Sequence, residues 1–544
     1  MAWNKYLCHY LVNHHKFLLV FYLIFLIVLY LLLCFTLAPL FVKAGVDPKL
    51  AWIPGRNFRA MCRIVGENPS RAWWLLFPVY NIFVYCGLCV DMVRSYGKYR
   101  LWHSALAVFY APIIFWMIGK NKSDKYVGPT VVLEKDFHDK FHEAHAKGDK
   151  AAIRKLEANN PYHKGHLREW AEAAFFAIYA ASFIRMFLIE AYQIPTSSME
   201  GSLLIGDYLF VSKAHYGIRT PKTLLMAPLV HNRMPFFDGE SYLAEPGLPY
   251  FRLPKFQSID HNDPVVFNYP EGDSVYFDPE RTFSIYDERR NPGVAQIVQG
   301  KKLVVRPLDK MDHYIKRCVG LPGDELKIVN RQVFINGKPA RNPANLQYKY
   351  IVDDQGKGLN TSSFYDWGIS AEDMGEYEIG KVMVLNQEQI DKVKAMDLSI
   401  KVTPFPDSLY RDMKVWPYSP TSAKWTVDNY GPVRIPKKGE TIQLNRDNID
   451  MYRRAISVYE GNKLQERDGQ FIINGKASPN YTFKLDYYWM MGDNRHNSED
   501  ARFWGFVPET HVVGKPLFIW FSTKDATMSH GIRWNRLFTS AHRM

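Results

Sequence analysis

Cysteine is scarce and unevenly placed. Of six in 544 residues, Cys8, Cys34, Cys62, Cys86 and Cys89 fall in the first hundred and Cys318 stands alone beyond them. The C-terminal half therefore cannot close an internal disulfide. Cys86-x-x-Cys89 lies inside an apolar run with no second pair and no nearby histidines, so it reads as packing rather than a metal or redox site. His138, His142 and His145 fall at i, i+4 and i+7, on one helical face. No carboxylate or cysteine set completes a metal site there, and a solvated helix is the plainer reading. A basic stripe is missing too. The formal charge is +13, yet Lys and Arg are not gathered into one band, which excludes nucleic acid as the expected partner. Many instead flank apolar segments, as in cytoplasmic membrane loops.

Long apolar runs are abundant. Phe17 to about Phe41 is long enough to span a bilayer, too long for a secretory h-region, and followed by no small-x-small cleavage site, so it reads as an uncleaved anchor. Two further stretches, about Trp73–Val93 and Leu101–Ile118, complete an N-terminal membrane region over residues 1–119. Pro78 and Asn81 mark the first of them as broken or re-entrant. Residues 120–170 are strongly charged, and residues 171–191 form a fourth membrane-length segment. The positive-inside rule puts the charged block in the cytoplasm and residues 192–544 on the other side of a multi-pass protein.

That outer domain alternates short β-branched and aromatic runs with Gly, Pro, Asn and Asp clusters, which predicts a mostly-β fold. Gln332–Lys338 and Gln470–Lys476 are near copies, each a strand ending in Asn-Gly, the strongest short hairpin signal. Residues of about 217–300 and 340–465 are less regular and read as insertions on the β core.

Small hydroxyl residues emerge directly from the fourth apolar segment, in Ile194-Pro195-Thr196-Ser197-Ser198-Met199. A serine is a weak nucleophile at its free pKa and needs a base. One lysine of the outer domain stands among apolar neighbours, in Tyr314-Ile315-Lys316-Arg317-Cys318. Desolvation there lowers an amine pKa, and a neutral amine can deprotonate a serine; an ordinary edge-strand lysine is the alternative. Lys213 also follows an apolar strand. A dense polar loop, Gly492-Asp493-Asn494-Arg495-His496-Asn497-Ser498-Glu499-Asp500-Ala501-Arg502, supplies groups to hold a lysine, or is a turn in which Asp500 and Arg502 form a structural ion pair.

Taken in order, these stretches and the strand Gly206–Lys213 resemble four blocks of the bacterial type I signal peptidases, the leader peptidase family of Ser-Lys dyad serine proteases. The extra N-terminal spans and long insertions resemble those of Bacteroidota members. The resemblance implies Ser198 as nucleophile, Lys316 as general base and Ser498 as support for that base. It places the oxyanion hole at the Thr196 hydroxyl and the Ser198 amide. Ile194, Pro195, Met199, Leu203, Tyr314 and Ile315 match positions lining shallow pockets for small substrate side chains, and Arg317, Asp493, Asn494, Asp500 and Arg502 match structural positions near the site. His496 departs from the pattern, since an aspartate is usual there. The implied activity is removal of signal peptides from secretory preproteins at the periplasmic face of the plasma membrane. Lipid and the export machinery are the implied partners, and no metal or other cofactor is needed. A dedicated Ser-Lys protease for a pilin or conjugation substrate is the first rival, and a non-catalytic membrane scaffold the second.

Overall fold

The computed structural model describes residues 24–542 apart from 25–26, 77–79, 164, 231, 235–238, 278–280, 357, 360–363, 365–366, 368, 370–372, 378–379, 398 and 412. The chain forms two units, Met1–Phe175 and Phe176–Met544. In the first, α1 (Ile27–Lys43), α2 (Arg56–Val65), α3 (Tyr80–Arg94) and α4 (Leu101–Lys120) share a core that includes Leu37, Phe41, Met61, Leu88, Cys89 and Phe115. The Lys43 ammonium donates to the carbonyls of Ile118 and Asn121 (both 2.6 Å) and Asp124 (3.0 Å), closing the carbonyl end of α4. Tyr110 breaks α4 (φ −160°, ψ 84°) just before Pro112, whose ring nitrogen cannot donate to the helix. The start of the expected first anchor, residues 17–23 with 25–26, lies outside the described residues. In the second apolar stretch, a 3-10 segment (Pro69–Leu76) precedes α3, and residues 77–79 between them are not described. The charged stretch that follows forms α5 (Thr130–Ala146), which carries the three spaced histidines, and α6 (Lys150–Ala158). By length and composition, Leu101–Lys120 and Arg168–Leu188 are long and apolar enough to cross a membrane.

The next helix, α7 (His166–Phe187), ends earlier than the expected span to 191, and β1 (Ile189–Gln193) starts two residues later. The reason is Glu190. Its carboxylate is buried between Arg185 and Lys213 (2.8 Å each) and accepts from the Tyr192 hydroxyl at 2.6 Å, a network that needs the sheet to form.

The second unit is built on an antiparallel sheet of β1, β2 (Asp207–Ser212), β3 (Pro264–Asn268), β4 (His313–Gly320), β5 (Tyr487–Met491), β6 (Val507–Pro508), β7 (Val512–Ser522) and β8 (Thr539–Ser540). The spatial order is β1-β2-β7-β3-β4-β5-β6, with β8 also on β7. β3 is buried along its whole length, so the segment 217–300 read as an insertion contributes a central strand. Its apolar run is only Val265-Val266-Phe267, between Asp263-Pro264 and Asn268-Tyr269-Pro270, too short to stand out in the sequence. Likewise Tyr430–Arg434, within 340–465, pairs with Glu325–Val329 of a second sheet.

Both Asn-Gly hairpins form. Asn336 and Gly337 (φ 51° and 77°) and Asn474 and Gly475 (φ 52° and 84°) hold the left-handed conformations of a type I′ turn. Each asparagine also accepts from a backbone amide one strand back, Glu325 and Lys463 respectively, at 2.9 Å. A third sheet (Tyr348–Asp353, Met374–Tyr377, Gly380–Leu385 and Lys401–Pro404) packs with the helix Gln387–Met396 around its own core, which includes Val352, Met383, Leu385 and Val393.

Candidate active site

The connection from β1 to β2 carries the serines. Ser197–Met199 make a single 3-10 turn closed by Glu200 N donating to Ser197 O, which leaves the Ser198 amide outside the turn's own hydrogen bond. Lys316 lies midway along β4 and reaches this loop: its Nζ is 2.6 Å from Ser198 Oγ. Thr196 Oγ1 lies 3.4 Å from the same oxygen, and Thr196 is exposed. Lys316 is 4% exposed, and burial pushes its pKa down to about 8 against the opposing pull of Asp500, Glu499 and Asp493. Lys213, the other lysine considered, is instead engaged by Glu190 and the Arg185 carbonyl, both at 2.8 Å.

The polar loop after β5 closes over the serine from the far side. Asn494 N donates to Ser198 O at 3.2 Å, and Asn497 Nδ2 donates to Ser197 Oγ at 2.9 Å. Gly492 allows the approach, because a Cβ there would lie 2.2 Å from Ser498 Oγ and 2.4 Å from Ser198 O. Two buried ion pairs fix the loop. Arg317 Nε and Nη2 grip Asp493 at 2.7 and 2.6 Å, while Arg317 Nη2 also reaches Ser202 Oγ at 3.2 Å. Arg502 grips Asp500 at 2.9 and 2.8 Å, and Asp500 also accepts from Gly492 N at 3.1 Å. Both oxygens of each carboxylate accept a hydrogen bond, which offsets the cost of burying the charge.

Other expected residues are placed less simply. Ser498 is buried beside the serine loop, but its Oγ has no hydrogen-bond partner, so the expected bond to Lys316 is not formed. Ile194, Met199, Leu203 and Ile315 share one small apolar cluster. Tyr314 does not join it: strand alternation turns its ring to the main core, stacked on Tyr269 at 4.6 Å and 5.5 Å from Lys316 Nζ. Pro195 is exposed.

Three contacts had no signal in the sequence. Gln347 pairs with the loop, its amide donating to Asp493 O (3.0 Å) and its carbonyl accepting from Arg495 N (2.9 Å). Gly201 (φ +91°) lies against the carbonyl of Asn345. His496 has a fully buried side chain; its Nε2 lies 2.7 Å from Asp428 Oδ1, and its Nδ1 accepts from Lys349 N at 3.0 Å. Nδ1 is thus the acceptor and Nε2 the donor of an imidazole whose pKa burial pushes down.

Residues 167–389 and 433–521, more than half of the chain, match the family described as signal peptidase, peptidase S26. The chain belongs to that family. It is a serine endopeptidase of the signal peptidase I type. Among curated relatives it is similar to signal peptidase I of Buchnera aphidicola subsp. Acyrthosiphon pisum, at 25% identity over 71% of this chain and 88% of the relative. It is also similar to the enzymes so named in Buchnera aphidicola subsp. Baizongia pistaciae (22%, 70% and 86%) and Helicobacter pylori (24%, 65% and 86%). Residues 50–129 match a family of unknown function. Asp428, the partner of His496, falls between the two stretches that match the signal peptidase family. His496 is therefore bonded to a carboxylate outside the family match.

Proposed function

We propose that this chain is a membrane-bound signal peptidase that releases secretory preproteins by a Ser198–Lys316 dyad. The observation that carries the reading is the 2.6 Å approach of Lys316 Nζ to Ser198 Oγ in a buried setting that lowers the amine pKa to about 8. Neutral Lys316 takes the Ser198 proton as Oγ attacks the scissile carbonyl. The Ser198 amide and the Thr196 hydroxyl meet the developing oxyanion. Protonated Lys316 then gives its proton to the leaving amine, and the same lysine, neutral again, activates the water that frees the acyl-enzyme. Ser498, with its hydroxyl uncommitted, is the group assigned to steady Lys316 once the serine is acylated. Ile194, Met199, Leu203 and Ile315 are assigned to the shallow pockets for small substrate side chains, with Pro195 and Tyr314 at their margin.

In the same reading residues 1–119 and α7 anchor the protein, residues 120–170 face the cytoplasm, and residues 192–544 work at the periplasmic face of the plasma membrane. Exposed Trp534 and Phe538 rest on lipid beside the emerging signal peptide, and the export machinery delivers the substrate. The test is cleavage of several unrelated preproteins in detergent by wild type, Ser198→Ala and Lys316→Ala. Both variants should be inactive with near-ultraviolet circular dichroism unchanged. Normal cutting by Lys316→Ala would refute the base assignment, and cutting of a single preprotein only would favour a dedicated processing protease.

A further inference from the structure

Arg495 follows Asn494 in the loop that closes on Ser198, and it is 3% exposed. Its Nε donates to Gly492 O at 3.1 Å, but neither terminal guanidinium nitrogen has a partner among the described residues. The two neighbouring buried arginines differ, since Arg317 grips Asp493 and Arg502 grips Asp500. A guanidinium stays charged at every pH the protein meets, and its planar fork matches the paired oxygens of a carboxylate or phosphate. A guanidinium whose terminal nitrogens open on a cavity is free to take an anion there.

Arg495 lines a cavity of about 250 Å³. Lys338 and Arg341 line it too, and neither has a carboxylate partner among the described residues. His261, also on the wall, is already engaged with Asp324 Oδ2 at 2.7 Å. Three cationic side chains without a carboxylate partner among the described residues thus line one hollow. We propose that this cavity is a subsite for one oxyanion, a carboxylate or phosphate, seated in the Arg495 fork with Lys338 and Arg341 completing the charge.

The subsite is joined to the serine loop by two short series of contacts. Gly492, whose carbonyl accepts from Arg495, abuts the Ser198 carbonyl. Asn262, on the cavity wall, accepts from Arg317 Nη1 at 2.6 Å, and Arg317 in turn reaches Ser202 in the serine loop. Two sources of the anion fit: an acidic side chain on the polypeptide substrate, or a free small anion such as inorganic phosphate.

Two arms test this. Titration calorimetry of the full-length protein in low-chloride detergent buffer measures inorganic phosphate binding. Binding is expected for wild type and should weaken about tenfold in Lys338→Gln/Arg341→Gln, whose side chains are exposed, and in Arg495→Lys, which keeps the charge but loses the fork. This arm needs no turnover, so its result is separate from the dyad reading. The second arm, which rests on that reading, compares substrates bearing Asp or Asn at each position just after the cut. A several-fold lower KM for one Asp substrate, lost in Lys338→Gln/Arg341→Gln, identifies the substrate as the source. Phosphate binding without that preference identifies the free anion. If wild type neither binds phosphate nor prefers any Asp substrate, or if the variants match wild type in both arms, the subsite does not exist.

Discussion

Replacing Lys316 by methionine should stabilise the protein while abolishing cleavage. The lysine is 4% exposed, and its pKa falls from 10.5 to about 8. At ~1.4 kcal/mol per pKa unit, holding the ammonium form in this site costs on the order of 3 kcal/mol. The sign follows from proton counting. Between about pH 8 and 10.5 the unfolded chain binds more protons at this residue than the folded one, so stability rises with pH across that window. Below pH 8 both states are protonated and the full cost is present. Methionine has a similar unbranched shape and carries no charge, so the cost disappears at every pH. Loss of the contact with Ser198 returns roughly 1 kcal/mol, leaving the variant about 2 kcal/mol more stable at pH 7. The assay is urea unfolding in detergent at pH 7 and pH 10, followed by the fluorescence of the buried Trp489 and Trp504 in the second unit. The advantage of Lys316→Met should be largest at pH 7 and nearly gone at pH 10. A variant no more stable than wild type at pH 7, or an advantage that does not shrink with pH, would refute the desolvated-amine account.

Two further substitutions probe the loop over the serine. Gly492→Ala places a methyl 2.2 Å from Ser498 Oγ and 2.4 Å from the Ser198 carbonyl, so both must give way. A displacement of about 1 Å at the nucleophile is expected to cost on the order of 100-fold in kcat, with a stability loss of about 1–3 kcal/mol, read from steady-state kinetics and urea titration. His496→Asp sets a second carboxylate against Asp428, 2.7 Å from the present imidazole. It should destabilise by about 3 kcal/mol, and adding Asp428→Asn should recover most of that. Failure of the second change to rescue the first in a double-mutant cycle would show that the two side chains are not coupled.

What the sequence made legible was local. The Asn-Gly pairs at 336–337 and 474–475 dictate their own turn type, because left-handed backbone favours those residues. Lys316 stands out because it sits in a short run with Tyr314, Ile315 and Cys318, although only the structure shows that it is buried. The contacts that escaped join segments far apart in the chain. Gln347 braces the polar loop after β5 and Asn345 lies against the serine loop, yet nothing in their neighbours marks them. Asp428 compensates His496 from 68 residues away. β3 was hidden because three apolar residues between prolines read as loop, although its position at the centre of the sheet buries it completely. The end of α7 was misplaced for a similar reason. Only the fold reveals that Glu190 pairs with Lys213 across the first hairpin.

The pH dependence of kcat/KM for a preprotein substrate tests the central claim most directly, because Lys316 can serve as base only when neutral. With its pKa at about 8, activity should rise tenfold per pH unit below that value and level off above it, with one titrating group on the ascending limb. An ascending limb near pH 6.5 or below, or a rate independent of pH between 6 and 9, would contradict Lys316 as the base of Ser198.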